Sequence, residues 1–339
     1  MGRGKRSNPK TKTTLLYVLL GVMVVAAFFA ALHAWEERQY RLDAEMESRY
    51  SETGRPVVYL DGKKYVERKH LETFLLIGTD KLDSETHVYP NAVSNDQQSD
   101  FVLLAVLDRE AERVIPLHIN RDTMVSMRVL GVGGQEVGMA TQQLALSHTY
   151  GSGGNDSCRN TVKAVSDFLF GIPIDHYLAF NLDTLAQMND LVGGVPVEIR
   201  DDFSAVDPTL IRGETICLTG KQAMHYVSAR GSMADSSNLA RMERQRQYMD
   251  AFRVQLSRRM KESESFVTED MVDVLAKLAS DCTVNELSDR ISEAADFDVA
   301  DFETVPGEAV KGETFMEFYP DEQGLKDLVI RLFFDPYGD

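Results

Sequence analysis

Four groups of polar residues border apolar runs where packing alone does not ask for them. Gly78-Thr79-Asp80 closes the run at 73–78, and Gln98-Ser99-Asp100 opens the run at 101–108. Asn120-Arg121-Asp122-Thr123 closes the run at 113–120. Further along come Arg230, Arg241, Arg244 and Gln245, and helical spacing puts 241, 244, 245 and 248 on one face. Taken singly, each has a plain structural role: a turn aspartate bonded to its own backbone, a surface ion pair, a solvated basic face. Taken together they suit one object. Carboxylates hold a hard cation, and guanidinium forks match phosphate oxygens. Arginines gathered against two aspartates, in an otherwise acidic chain, point to a metal-bound phosphate or pyrophosphate.

The elements that must position these groups follow from periodicity. TFLLIG (73–78), FVLLAVLD (101–108) and RVIPLHIN (113–120) read as buried strands, and strand ends in α/β sheets are where ligands sit. From Asp156 the period changes: Val162, Val165, Phe168 and Leu169 share a helical face that stops at Gly171. A strand at 175–181, a helix ending at Gly193-Gly194 and a strand at 195–203 follow. Thr219 with Gln222 matches a capping box and opens a short helix, 220–228. Residues 239–260 form a long amphipathic helix, and a helical stretch (267–279), a strand near 302–305 and a helix at 323–334 complete the chain. Upstream, Asp61-Gly62 is the turn of a short hairpin. The alternation predicts an α/β class: a mixed central sheet flanked by helices.

The amino terminus is of another kind. Residues 1–14 carry five basic residues and no acid, and residues 15–34 carry no formal charge. Twenty residues at about 1.5 Å rise span the hydrocarbon core of a bilayer. The expected organisation is a cytoplasmic tail (1–14), a transmembrane anchor (15–35), a stalk and short hairpin (36–65) and an extracytoplasmic domain (66–339), oriented by the positive-inside rule. The chain of 339 residues has a net charge of −17, which becomes −22 once the basic tail is set aside. That balance argues against nucleic acid as a partner. No CxxC or HExxH is present, His118, His148 and His176 are scattered, and the glycines at 131–134 and 151–154 make no phosphate-binding loop and read as turns or a mobile flap. Cys158, Cys217 and Cys282 allow three single bridges and always leave one thiol over.

In order, GTD, QSD, INRDT, LSHTYGSGG, FGIPIDHY, DLVGGVPVEI, LTGKQAMHYVSAR and NLARMERQRQ give a sequence that resembles the LytR–CpsA–Psr (LCP) family between about residues 73 and 260. The resemblance implies a membrane-anchored phosphotransferase. Its substrate is an anionic glycopolymer on an undecaprenyl-pyrophosphate carrier, and its acceptor is peptidoglycan. It also implies Mg²⁺ (or Mn²⁺) on Asp80 and Asp100, and a prenyl chain in an apolar tunnel. Carried across by motif, Arg121, Asp122, Arg230 and Arg241 are catalytic. Arg121, Arg230, Arg241, Arg244, Gln245 and the Gln98 position hold the pyrophosphate. Three positions depart from the pattern: Gln98 and Ser228 stand where the family has arginine, and Asn238 where it has aspartate. Two further readings use the same residues, a non-catalytic prenyl-pyrophosphate receptor and an envelope-linked transcriptional attenuator. A cytoplasmic tail of only 14 residues speaks against the second.

Overall fold

The computed structural model describes residues 49–50, 55–80, 95–130, 135–231 and 233–338. The expected tail (1–14), anchor (15–35), most of the stalk and the glycines at 131–134 lie outside these residues. Among the described residues no helix is long and apolar enough to cross a membrane. The chain divides into two compact units, one ending at Arg68 and taking in the segment from Phe334, the other running Lys69–Phe333.

The smaller unit is a four-stranded antiparallel sheet of β1 (Arg49–Tyr50), β2 (Pro56–Leu60), β3 (Lys63–Glu67) and the strand Phe334–Pro336. Leu60 faces Lys63, leaving Asp61 and Gly62 as a two-residue loop with φ of 49° and 75°. Both angles are positive, as a type I′ turn requires, and aspartate-glycine supplies them at least cost. Arg49 and Tyr50, in the expected stalk, are extended and paired with β2.

In the larger unit, β4 (Leu71–Thr79), β5 (Ser99–Asp108) and β6 (Arg113–Ile119) form an antiparallel meander. The hairpin β7 (Met124–Leu130) and β8 (Glu136–Gln143) leaves the sheet, and a 3₁₀ turn, Leu144–Thr149, leads into α1 (Asn155–Phe168). Next, β9 (His176–Phe180) returns parallel to β4. Then come α2 (Leu182–Leu191), the pair β10 (Val195–Glu198) and β11 (Thr215–Leu218), α3 (Gly220–Ser228) and α4 (Asn238–Glu262). A π-helical turn, Phe266–Asp270, and α5 (Val272–Leu275) stand where one longer helix was expected. That helix is cut short because β12 (Ala279–Ser280) must extend to pair with β9. The remainder is α6 (Val284–Ala294), β13 (Asp298–Val299), β14 (Glu303–Thr304), the hairpin β15 (Gly307–Lys311) and β16 (Met316–Pro320), and α7 (Glu322–Phe333). The sheet order is β12-β9-β4-β5-β6-β13, with β14 also on β6, so the expected mixed sheet is present.

Strand direction decides where the polar groups go. Because β4 runs parallel to β9 and antiparallel to β5, and β5 antiparallel to β6, one sheet edge collects four termini: the ends of β4, β9 and β6 and the start of β5. The interior strands are covered on both faces, with Leu75, Ile77, Val102, Leu104 and Val106 fully buried. Full burial of such a side chain contributes about 1.5–3 kcal/mol, so this edge is held by a rigid apolar base. A second core joins α2, α3, α4 and β10 through Leu185, Val197, Tyr226 and Tyr248, with Phe203 stacked on Tyr226.

Candidate active site

At the sheet edge, the last residue of the β4 segment and the first polar residues before β5 meet across a bulge. Asp80 donates its backbone N–H to the Gln98 carbonyl at 3.3 Å, and its Oδ1 accepts the Gln98 N–H at 3.0 Å. The register therefore brings Asp80 and Asp100 to one wall, where both line a cavity of about 230 Å³ with Thr79, Arg241 and Gln245. Much of the remaining wall is apolar, formed by Phe101, Phe180, Leu182, Leu185, Val227 and Met249. A charged mouth on an apolar body is the shape an amphiphile requires.

Asp100 is gripped from two sides. Arg241 donates from Nη1 to Oδ2 at 2.7 Å, and Arg121 forms an ion pair with Oδ1. Both arginines are buried. Burial, and the neighbouring guanidinium in each case, lower their pKa to about 10, so both stay cationic at neutral pH. Arg121 also donates to the Gln98 side-chain oxygen, and its backbone carbonyl accepts the Ala145 N–H at 3.0 Å. Asn238 Oδ1 accepts two N–H groups of Arg241, at 3.1 and 2.6 Å, and its Nδ2 donates to Asn120 Oδ1 at 2.7 Å. That same Asn120 oxygen accepts the Asp122 N–H at 2.9 Å. The loop after β6 is thus tied to the first turn of α4.

Of the residues expected to work together, the structure gathers Asp80, Gln98, Asp100, Arg121, Arg241 and Gln245. Arg230 stands at the exposed rim, close enough to lower the pKa of both Arg121 and Arg241. Asp122, expected to be catalytic, is buried behind Arg121 and away from the cavity wall. It sits 3.4 Å from Arg121 Nε and accepts from Gln143 Nε2 at 2.9 Å. Burial raises its pKa against the pull of Arg121. Arg244, expected on the pyrophosphate, is turned the other way. Its guanidinium meets the Tyr226 and Ala229 carbonyls and Asp201. The end of a helix leaves carbonyls without partners, and those of α3 consume this arginine. Gln245 straddles both roles: Nε2 donates to the Val227 carbonyl at 3.3 Å, while buried Oε1 has no partner among the described residues.

The apolar wall was legible only in part. Phe180 ends β9 and Leu182 follows just past it, so the strand-end rule that singled out Asp80 applies to them too. The bracing pair Asn120–Asn238 is separated by 118 residues and leaves no mark in spacing.

The LytR_cpsA_psr family model matches residues 37–329. A relative from Halalkalibacterium halodurans, the polyisoprenyl-teichoic acid–peptidoglycan teichoic acid transferase TagU, is 34% identical over 155 residues, 45% of this chain and 46% of the relative. The chain therefore spans about half the length of that relative. The TagU of Bacillus subtilis is 23% identical over 247 residues, 73% of this chain and 71% of the relative. Among solved structures, B. subtilis TagV superposes with a TM-score of 0.58 at 22% identity, covering 78% of this chain and 96% of that one. A structure described as TagT bound to LIIa-WTA gives 0.58 at 20% identity over 78% and 90%. At these identities the superpositions establish the fold.

Proposed function

We propose, from the premise that this chain belongs to the LytR_cpsA_psr family, that it is a phosphotransferase of cell-wall assembly. It would move an anionic glycopolymer from an undecaprenyl-pyrophosphate carrier to peptidoglycan. One observation carries the reading: the Arg121–Asp100–Arg241 bridge stands at the mouth of an apolar cavity. The relatives named as teichoic acid transferases support the substrate class.

The residues divide the work. Arg121 and Arg241 are cationic donors that can exchange the Asp100 carboxylate for phosphate oxygens without moving far from their buried seats. Arg230, at the rim, adds charge where the second phosphoryl group enters. Asp122, Asn120, Asn238 and Gln98 fix the direction of the two guanidinia, so little reorganisation remains when charge develops. Asp80 and Asp100 supply hard oxygen donors on the same wall, a set that fits Mg²⁺ or Mn²⁺. When bound there, such an ion neutralises charge on the phosphate oxygens. The unpartnered Gln245 Oε1 can accept the hydrogen of an acceptor hydroxyl or of a water. The apolar wall from Phe101 to Met249 takes the first isoprene units and excludes water. In this reading residues 15–35 anchor the chain with the larger unit outside the cell. Protease added to intact protoplasts should then remove that unit, and full protection would overturn the topology.

The test is release or transfer of phosphate from a prenyl-pyrophosphate by full-length protein with Mg²⁺. Arg121→Ala should lower turnover by about 10²–10³-fold, the usual loss for a transition-state donor. A wild type as silent as the variant, with tight lipid binding in both, replaces the enzyme with a receptor.

A further inference from the structure

At the opposite end of β9 from the cavity, three metal-ligating side chains converge. His176 Nδ1 lies 3.2 Å from Cys282 Sγ and 3.4 Å from Asp281 Oδ2, and all three groups fall within 4.8 Å of one another. Asp281 spends Oδ1 on the Tyr177 N–H at 3.0 Å, which leaves Oδ2 to point at the group. Cys282 and Asp281 are held in place by the turn between β12 and α6, where the Cys282 N–H donates to Ser280 Oγ at 3.1 Å. We propose that His176, Asp281 and Cys282 form a binding site for a divalent transition ion of the Zn²⁺ class, with a fourth position open to water.

The geometry and the charge both fit. Zinc bonds of about 2.0–2.3 Å to nitrogen, oxygen and sulfur in a tetrahedron put neighbouring ligand atoms about 3.3–3.7 Å apart. The two separations from His176 Nδ1 lie in or within about 0.1 Å of that range, and Cys282 Sγ is 4.0 Å from the near carboxylate oxygen of Asp281, so a small rotation of that carboxylate completes the set. One thiolate and one carboxylate neutralise the ion. The thiol releases its proton to solvent as the sulfur–metal bond forms, and oxidation state does not change.

Support extends beyond the three ligands. His176 Nε2 lies 3.3 Å from Glu72 Oε1, and Glu72 is itself clamped by Arg109 and by Arg290 Nε at 2.9 Å. A metal on Nδ1 requires the proton on Nε2, where Glu72 accepts it, and a carboxylate behind the distal nitrogen is the usual support of a ligating histidine. Arg290 Nη2 also approaches Nε2, at 3.4 Å, and favours the other tautomer, so metal loading would shift the imidazole proton onto Glu72's side. No spacing motif reveals this set, because His176 lies 106 residues from Cys282. It draws on β4, β9 and the start of α6, and an ion there would pin α6 to the sheet.

Full-length protein with its thiols reduced is titrated with Co²⁺, and the thiolate-to-cobalt charge-transfer band is recorded. The expected result is one equivalent bound with such a band, displaced by Zn²⁺, retained in Cys217→Ser and lost in Cys282→Ser. Glu72→Gln should weaken Zn²⁺ about 10–100-fold, as loss of a supporting carboxylate does. No band in wild type, or a band that survives Cys282→Ser, overturns the site. The wild-type titration stands by itself if a variant fails to fold.

Discussion

The side-chain oxygen of Gln98 accepts a hydrogen bond from Arg121, at a position where the resemblance to the LCP family implies arginine. Gln98 offers an acceptor there, and the neighbouring arginine uses it. In this chain the position therefore serves to aim Arg121.

Gln98→Arg should lower turnover by at least about tenfold, near 1.4 kcal/mol, because it sets a guanidinium against Arg121 where an acceptor was. Ser228→Arg should leave turnover within about threefold of wild type or raise it, since Ser228 is exposed on the cavity rim. Steady-state release of phosphate from a prenyl-pyrophosphate decides both. A gain from Gln98→Arg alone would refute the aiming role.

Asn238 is the second departure, and Asn120 explains it. Its Nδ2 donates to Asn120 Oδ1, which a carboxylate would instead repel. Asn238→Asp should cost about 1–3 kcal/mol of stability in urea unfolding, the range for a buried acceptor without its donor. An unchanged midpoint would show that the loop after β6 does not depend on this bond.

Leu182 and Leu185 give the cavity its apolar side wall. Leu182→Trp should fill part of the cavity and weaken binding of a long prenyl-pyrophosphate more than that of a short one, measured by calorimetry on the two chain lengths. Equal loss for both would place the lipid elsewhere.

His118 is fully buried between Phe101 and Phe302, and burial, helped by Arg246 and Arg241, lowers its pKa to about 3. The unfolded chain takes up a proton near pH 6.5 that the folded chain refuses until about 3. Its contribution is therefore complete above pH 6.5 and is lost as pH falls toward 3, with a slope of at most about 1.4 kcal/mol per pH unit. His118→Phe should flatten the dependence of unfolding free energy on pH between 4 and 6. A variant with the wild-type slope would assign the titration to other groups.

Much of the fold can be read from the chain because both periods are strong. The strand at 101–108 is apolar at nearly every position and the helix at 239–260 is long, and both formed within two residues of the expected ends. The hairpin of β7 and β8 leaves no mark for a physical reason: β8 is mostly exposed, Val137 and Met139 included, so it has no buried face to alternate. Helix α6 does leave a mark in the chain, since Thr283 and Glu286 make a capping box before Leu287 and Ile291. At the site, residue types identified Asp80, Asp100, Arg121 and Arg241. Partners did not emerge, because only the sheet register decides that Asp122 falls behind Arg121 and only α3's unpaired carbonyls decide that Arg244 turns away.

The shared sheet edge has a consequence for how the protein matures. Asp80 is made early and Gln245 late, and between them the chain must complete β5, β6 and β9 before α4 can dock. Until then the arginine grip on Asp100 lacks its second hand, and the cavity lacks the wall that Gln245 and Met249 provide. An incomplete chain therefore cannot enclose a bound molecule and hold it idle. Readiness for the substrate arrives in one step, with the last long helix, and serves as the molecule's own check that it is finished.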